Sequence, residues 1–344
     1  MFLAALAWLI LAFGIQPAPP EPGFAPLTVT ATPIPEFLKG SPDTRFGALV
    51  YLGGLELASS NDDFGSLSGI DFLPDGRTLI AVADTALWFR AILTETGGTP
   101  TGLTDALLGP ILDADGRPLT RKAVSDAEAL RLTLRDGTPV ALVTFEVRTA
   151  LRAFTGPDFA LALPQPMALP SFVTGIHRNQ GLEAVAVAAA ESALAGAVVV
   201  IAERSLDGDG NHRGFILSGP EAGGFAIRRS RDFDVTDAAF LPSGDLLVLE
   251  RSFTWPGGFA MRLRQFEAMS VRTGATLDGR VLIEADDDHF AVDNMEGLAV
   301  WPSSDGGAIL TLVSDDNGSF LQRTLLLQFA LPPIAWPMPN LKPR

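Results

Sequence analysis

The stretch "DNMEGLAVWPSSDGGAILTLVSDD", residues 293–316, sets one carboxylate, Glu296, inside an apolar run. A Pro/Ser/Asp/Gly turn follows, then a second apolar run that ends on Asp315. Apolar runs rich in Val, Ile and Leu and bounded by Gly, Pro and Asp read as strands, and two of them across a turn read as an antiparallel hairpin. A lone acid in one strand would carry no message, but the chain repeats the pattern.

Four further segments share it: "LSGIDFLPDG" at 67–76, "SDAEALRLTLRDG" at 125–137, "NQGLEAVAVAAA" at 179–190 and "VTDAAFLPSGD" at 235–245. Their acids, Asp71, Glu128, Glu183 and Asp237, form with Glu296 a series spaced by 57, 55, 54 and 59 residues. Each segment is followed by a second run ("TLIAVAD", "PVALVTFE", "AVVVIAE", "DLLVLER", "ILTLVSDD") that closes on Asp84, Glu146, Glu203, Glu250 or Asp315. Positions equidistant from a hairpin turn face each other, so the two acids of each hairpin are expected roughly opposite, at the end far from the turn.

A repeat of this length, holding a hairpin and one or two further strands, predicts an all-β fold: a β-propeller of four-stranded blades. Five repeats are visible, and the expected number of blades is five or six. Strands at 27–33 and 47–57 are expected to complete the last blade, because the residues after 294 supply only about three strands. The expected organisation is a signal peptide over 1–23, one propeller domain over 27–333 and a tail over 334–344.

Inner strands that each begin near an acid gather those acids at one mouth of the central channel. Asp71, Asp84, Glu128, Glu146, Glu183, Glu203, Asp237, Glu250, Glu296 and Asp315 are therefore the candidate metal ligands. Ten like charges repel unless something neutralises them. A hard cation suits an all-oxygen donor set, Ca²⁺ first and Mg²⁺ second. Basic side chains are the other counter-charge. Arg148, Arg204 and Arg251 follow three of the acids, and His177 and Arg178 precede Glu183. These five are the candidate substrate or phosphate contacts, since a guanidinium holds phosphate or carboxylate in a bidentate fork. Each arginine can equally serve as a structural salt bridge to a ring acid. No residue is singled out as the catalytic acid or base.

Composition narrows the field. Lys plus Arg number 25 and Asp plus Glu 40, a net charge of −15, which opposes a nucleic-acid partner. There is no cysteine, so thiolate nucleophiles, thiolate metal sites and disulfides are excluded. The three histidines, His177, His212 and His289, are too dispersed for a three-histidine zinc site. Neither a G-x-S-x-G elbow nor an H-E-x-x-H motif occurs. "LDGDGNHRG" at 206–214 lacks the glycine and closing glutamate of a calcium loop and reads as a long polar turn. The apolar run 1–15, followed by "QPAPPEPG", fits a signal-peptide core, with an uncleaved membrane anchor as the alternative, and implies a secreted or periplasmic protein; a monomer is expected.

The motifs "SGIDFLPDG", "SDAEALRL", "NQGLEAVAV", "LLVLERSF" and "DNMEGLAV…LVSDDN", in this order, resemble those of the bacterial phytase-like domain family, described as "esterase-like activity of phytase". The resemblance spans about residues 45–331. It implies a β-propeller related to calcium-dependent phytases and an esterase or phosphomonoesterase activity. Matching positions are Asp71, Glu128, Asn179, Glu183, Glu250, Arg251, Asn294, Glu296, Asp315, Asp316 and Asn317. "EALRL" and "EAVAV" depart from the pattern, with alanine where glycine usually follows the glutamate. The expected function is calcium-assisted hydrolysis of a small-molecule ester or phosphate ester. The alternative is a non-catalytic periplasmic binding or scaffold propeller whose acids sit in structural salt bridges.

Overall fold

The computed structural model describes residues 21–119, 126–146, 149–177 and 180–333. Most of the expected signal peptide, together with Arg148, Arg178, Asn179 and the tail 334–344, lies outside the described residues. Five small sheets stand in a ring, each led by an inner strand: Leu67–Phe72, Ala127–Arg135, Leu182–Val187, Asp234–Phe240 and Met295–Pro302. This is a five-bladed β-propeller, numbered here blades one to five in that order. From the inner strand outward, the second, third and fourth strands follow as antiparallel neighbours, as in blade four: Leu246–Thr254, Gly258–Phe266 and Arg280–Asp286.

The last blade closes the ring. Its fourth strand is Leu49–Ala58 from the beginning of the chain, antiparallel to Thr324–Leu331, with Thr30–Ile34 outside it. The strands expected at 27–33 and 47–57 take this place. Hydrogen bonds thus join the two ends of the domain and leave no open seam. Among the described residues no helix is long and apolar enough to cross a membrane.

No single central core exists. Each of the five seams between adjacent blades has its own apolar cluster, such as Trp88, Val82 and Phe154 between blades one and two. A second cluster, with Leu249, Met261, Leu298 and Phe329, fills the seam between blades four and five. Inner and second strands are therefore covered on both faces, and Leu67–Phe72 and Thr78–Ala83 are buried at every position. Towards the axis the blades approach so closely that side chains must vanish. A Cβ on Gly297 would stand 3.2 Å from the Ile70 amide nitrogen of blade one, and one on Gly69 would stand 2.5 Å from that of Leu130 in blade two.

The register corrects one expectation. Each inner strand carries an extra residue near its start, a β-bulge. Ser68, Thr236 and Glu296 are the unpaired residues of their blades, with Glu183 and the Glu128–Ala129 pair in the same place. Acids that arithmetic sets opposite one another are offset, by one residue in blade four, as the bulge requires, and by four in blade one, where the turn is also placed differently. Asp71 faces Ile80, not Asp84, and Glu250 faces Val235, not Asp237.

Arg131, on the inner strand of blade two, crosses the channel axis and reaches all four other blades. Its Nη1 lies 3.3 Å from Asp71 of blade one. Its Nε donates to the Val185 carbonyl of blade three at 3.2 Å. Its Nη2 donates to the carbonyls of Ala238 in blade four and Leu298 in blade five, each at 2.9 Å, and lies 3.4 Å from Asp237. Asp71 also accepts from the Leu132 amide, and Asp237 from the Leu298 amide, each at 2.8 Å. Burial pushes both carboxyls upward, while Arg131 and these amides pull them down. Removing the guanidinium strands two buried carboxylates. Arg131→Met is expected to lower unfolding stability by about 3–5 kcal/mol, read from urea denaturation. Adding Asp71→Asn and Asp237→Asn to it should recover much of that loss, and a urea midpoint unchanged by Arg131→Met would contradict the role.

Candidate functional site

The bulges decide which side chains reach the mouth of the channel. A bulge re-aims the residue it inserts, and here it turns Glu128, Glu183 and Glu296 into the mouth, with Ser68 in the same position in blade one. Thr236, the equivalent in blade four, instead donates to the Met295 carbonyl at 3.2 Å. A second tier lies where each second strand reaches the mouth, just past the strand's end in blades one, two and five and within it in blades three and four. Asp84, Glu146, Glu203 and Asp315 hold equivalent places there, because each amide donates to the residue preceding its inner strand: Ser66, Asp126, Gly181 or Asn294.

Blade four departs from this tier in an informative way. Its register places Arg251, not Glu250, at the equivalent position. Strand side chains alternate between faces, so a one-residue offset turns Glu250 away from the channel. There it is fully buried between Arg262, at 2.8 Å, and Arg264 of the third strand. Glu250 is thus a structural ion-pair acid. Asp71 and Asp237 are likewise absent from the mouth, held on the axis by Arg131. The expected ring of ten is corrected to seven of its members plus Asp126, which the repeat arithmetic missed. Asp126 lies two residues before Glu128, the place that Asn294 holds before Glu296, and that parallel was its only signal in the sequence.

The result is a cavity of about 340 Å³ lined by eight carboxylates and one guanidinium. Arg251 lies 2.8 Å from Glu296 and 3.5 Å from Glu203, so it draws blades three, four and five together. Arg204 is half-exposed at the edge and contacts Asp234 at 2.6 Å, which Arg229 also holds at 2.8 Å. His177 is exposed on the loop before blade three and is tied down through its backbone, the amide donating to Ser205 Oγ at 2.7 Å and the carbonyl accepting from the Gln180 amide at 3.2 Å. Of the five expected anion contacts, Arg251 alone lines the cavity among the described residues. "SDDN" divides its labour. Asp315 faces the mouth, while Asp316 accepts from the Ser66 amide of blade one and from Thr324, stapling the last blade to the first.

Electrostatics are one-sided around the bulge glutamates of blades two and three. Glu128 and Glu183 form no ion pair with any described basic residue. Burial raises both well above the usual carboxylate range, and neighbouring carboxylates add to it, chiefly Asp126 and Glu146 for Glu128 and Glu128 and Glu203 for Glu183. Burial first, then charge repulsion, pushes Glu146, Glu296 and Asp315 up to about 7. Arg251 pulls the other way at Glu296.

Two groups of acids are placed to hold a cation. One carboxylate oxygen from each of Asp126, Glu128 and Glu146 lies within 4.8 Å of the others, and the same holds for Glu146, Glu183 and Glu203. Glu146 belongs to both. The donors are all oxygen, which fits a hard divalent ion and not a thiolate- or imidazole-bound metal.

The phytase-like family, "esterase-like activity of phytase", matches over residues 62–318, and the chain belongs to it. It is a propeller of a hydrolase-type family. Two solved structures show low similarity to the chain. A thermostable family-43 glycoside hydrolase is 10% identical, with 90% of this chain and 100% of that chain covered and a TM-score of 0.46. An α-L-arabinofuranosidase from Podospora anserina in complex with cellotriose is 11% identical, covers 84% and 98%, and has a TM-score of 0.49. At these values the likenesses carry no inference about activity. No curated protein matches the chain.

The raised acids give the cation-free protein a defined pH response. A carboxyl whose folded pKa exceeds its unfolded value, near 4, binds extra protons in the folded state. Their contribution to stability is therefore largest below about pH 4 and is lost as pH rises through about 7. Asp234, which burial pushes up but Arg229 and Arg204 pull down further, acts only below that window. In chelator, Tm is expected to fall between pH 5 and pH 8. A Tm that is flat or rising over that interval would contradict the charge balance described.

Proposed function

We propose that the acidic mouth binds a divalent cation, Ca²⁺ in preference to Mg²⁺, and that the protein hydrolyses a small-molecule ester or phosphate ester there. The observation that carries this reading is the pair of carboxylate triads sharing Glu146, two of whose members, Glu128 and Glu183, form no ion pair with any described basic residue. Membership of a family described by esterase-like activity supports the reaction class. When bound, the cation supplies the Lewis acidity that ester hydrolysis needs.

The chain's own groups take the remaining roles. Asp126, Glu128, Glu146, Glu183 and Glu203 hold the cation, and its charge lowers their proton affinity. The general base must then sit outside both triads. Asp315 meets that condition, lines the same cavity and has a carboxyl near 7, where a base works best at neutral pH. Arg251, fixed by Glu296 and Glu203, orients the anionic or developing anionic oxygen of the substrate. The scaffold alternative needs a base for every acid, and Glu128 and Glu183 have none among the described residues. The reading extends to export, on the apolar run 1–15, and to action as a monomer. Cell fractionation and sedimentation test those two points.

Stripped protein titrated with Ca²⁺ is expected to gain about 2.7 kcal/mol of stability at a hundredfold excess over Kd. Glu146→Gln, which breaks both triads, should abolish most of that gain. Calcium-loaded wild type should turn over p-nitrophenyl phosphate or p-nitrophenyl acetate. Asp315→Asn should keep the calcium-induced Tm rise yet lose at least about a hundredfold in kcat. No turnover of either substrate with any divalent ion would remove the hydrolase reading.

A further inference from the structure

All four exposed large aromatic side chains among the described residues stand on the mouth face of the ring. They are Phe320, 95% exposed, Trp255, 88%, Phe253 and Phe172. The topology fixes their side. Phe253 and Trp255 belong to the arm formed where the second and third strands of blade four run on past Arg251. Phe253 stacks on Phe259 across that arm at 4.8 Å, leaving Trp255 at the tip. Phe320, with Leu321 beside it, lies three residues beyond Asn317, which lines the acidic cavity. Phe172 lies on the connection from blade two to blade three, which also reaches the mouth. The exposed Leu134, at the far end of the inner strand of blade two, and Leu161 and Leu163, in and after the short 3-10 helix that follows its third strand, lie at the opposite face. Single exposed apolar residues are ordinary; here aromatic side chains from three loops share the face that carries the acidic cavity.

We infer that these aromatics form an apolar rim that binds the hydrophobic part of the substrate, so that the ester is an aryl or long-chain alkyl or acyl ester with at most one anionic group. The inference rests on the proposed hydrolase reading for what lies beneath the rim. Charge favours the same class. The described bases at the mouth, Arg251 and Arg204, are already ion-paired, and the cavity wall is carboxylate, which repels a polyanion. An exposed tryptophan and phenylalanine above a polar pocket gain affinity only from a ligand with apolar surface to cover them.

The test uses full-length, calcium-loaded protein and three non-hydrolysable probes: methyl-, phenyl- and octylphosphonate, measured by calorimetry. Phenyl- and octylphosphonate are expected to bind at least about tenfold tighter than methylphosphonate. The variant Trp255→Ala/Phe320→Ala, changed only at exposed positions, should lose that preference with methylphosphonate affinity unchanged. Equal affinities in wild type, no binding at all, or a preference that survives in the variant would overturn the inference. Turnover of the matching p-nitrophenyl esters is followed in parallel. Selective binding without turnover removes the hydrolase reading and leaves the rim, whereas turnover without selectivity removes the rim alone. If the variant instead loses binding to neutral phosphatidylcholine vesicles while keeping its phosphonate preference, the rim is a membrane contact and the inference fails.

Discussion

One guanidinium holds the centre of this molecule. Arg131 starts on blade two and bonds to blades one, three, four and five. A propeller has no central core, because each apolar cluster lies between two blades only. The axis is the one place where all five blades meet, and backbone carbonyls of blades three, four and five point at it. Apolar packing cannot tie the ring together there. A planar cation with five donors can, because the surrounding carbonyls and carboxylates are all acceptors.

That hub also defines the site. By occupying the axis, Arg131 with Asp71 and Asp237 closes the channel beneath the mouth. The acids above it therefore line a cup and not an open pore. Beyond the plug lies a second depression lined mainly by apolar residues, including Phe72, Phe240 and Trp301. The two ends of one channel thus have opposite chemistry although the inner strands of blades one, two, three and five line both. Bulges make the difference. They turn three glutamates into the cup at the start of the inner strands, and regular alternation resumes below them.

The legible and illegible parts of the sequence divide along the same line. The five-fold spacing of acid-bearing hairpins predicted the blades, and the strands near 30 and 50 were placeable in the last blade by counting. These are patterns local to one hairpin. The identity of the mouth residues was only partly legible, because a strand reverses its faces with each one-residue shift. Asp71 fits the repeat in sequence yet holds the blade-one place equivalent to Arg131, three residues past the bulge. Glu250 fits it too, and the register gives its place to Arg251. "LERS" cannot reveal that shift without the pairing of Val235 with Glu250. Arg131 was invisible for a different reason: all of its partners are on other blades, and no local pattern announces them.

The exchange of an acid for Arg251 at one of five equivalent positions gives a symmetric fold a direction. Five acids in that tier would spread repulsion evenly around the cup. Arg251 instead neutralises its own neighbourhood, Glu203 on one side and Glu296 on the other. The charge that no described base offsets is then concentrated across the cup, at Glu128, Glu146 and Glu183. Repulsion there is what lifts the glutamates further beyond the effect of burial, and it is the half that gains most from a divalent ion. A ligand entering between the two halves meets a cation site on one wall and a fixed guanidinium on the other. The aromatic arm of blade four rises directly from Arg251, so the apolar surface stands over the neutral half, where an apolar group is least penalised.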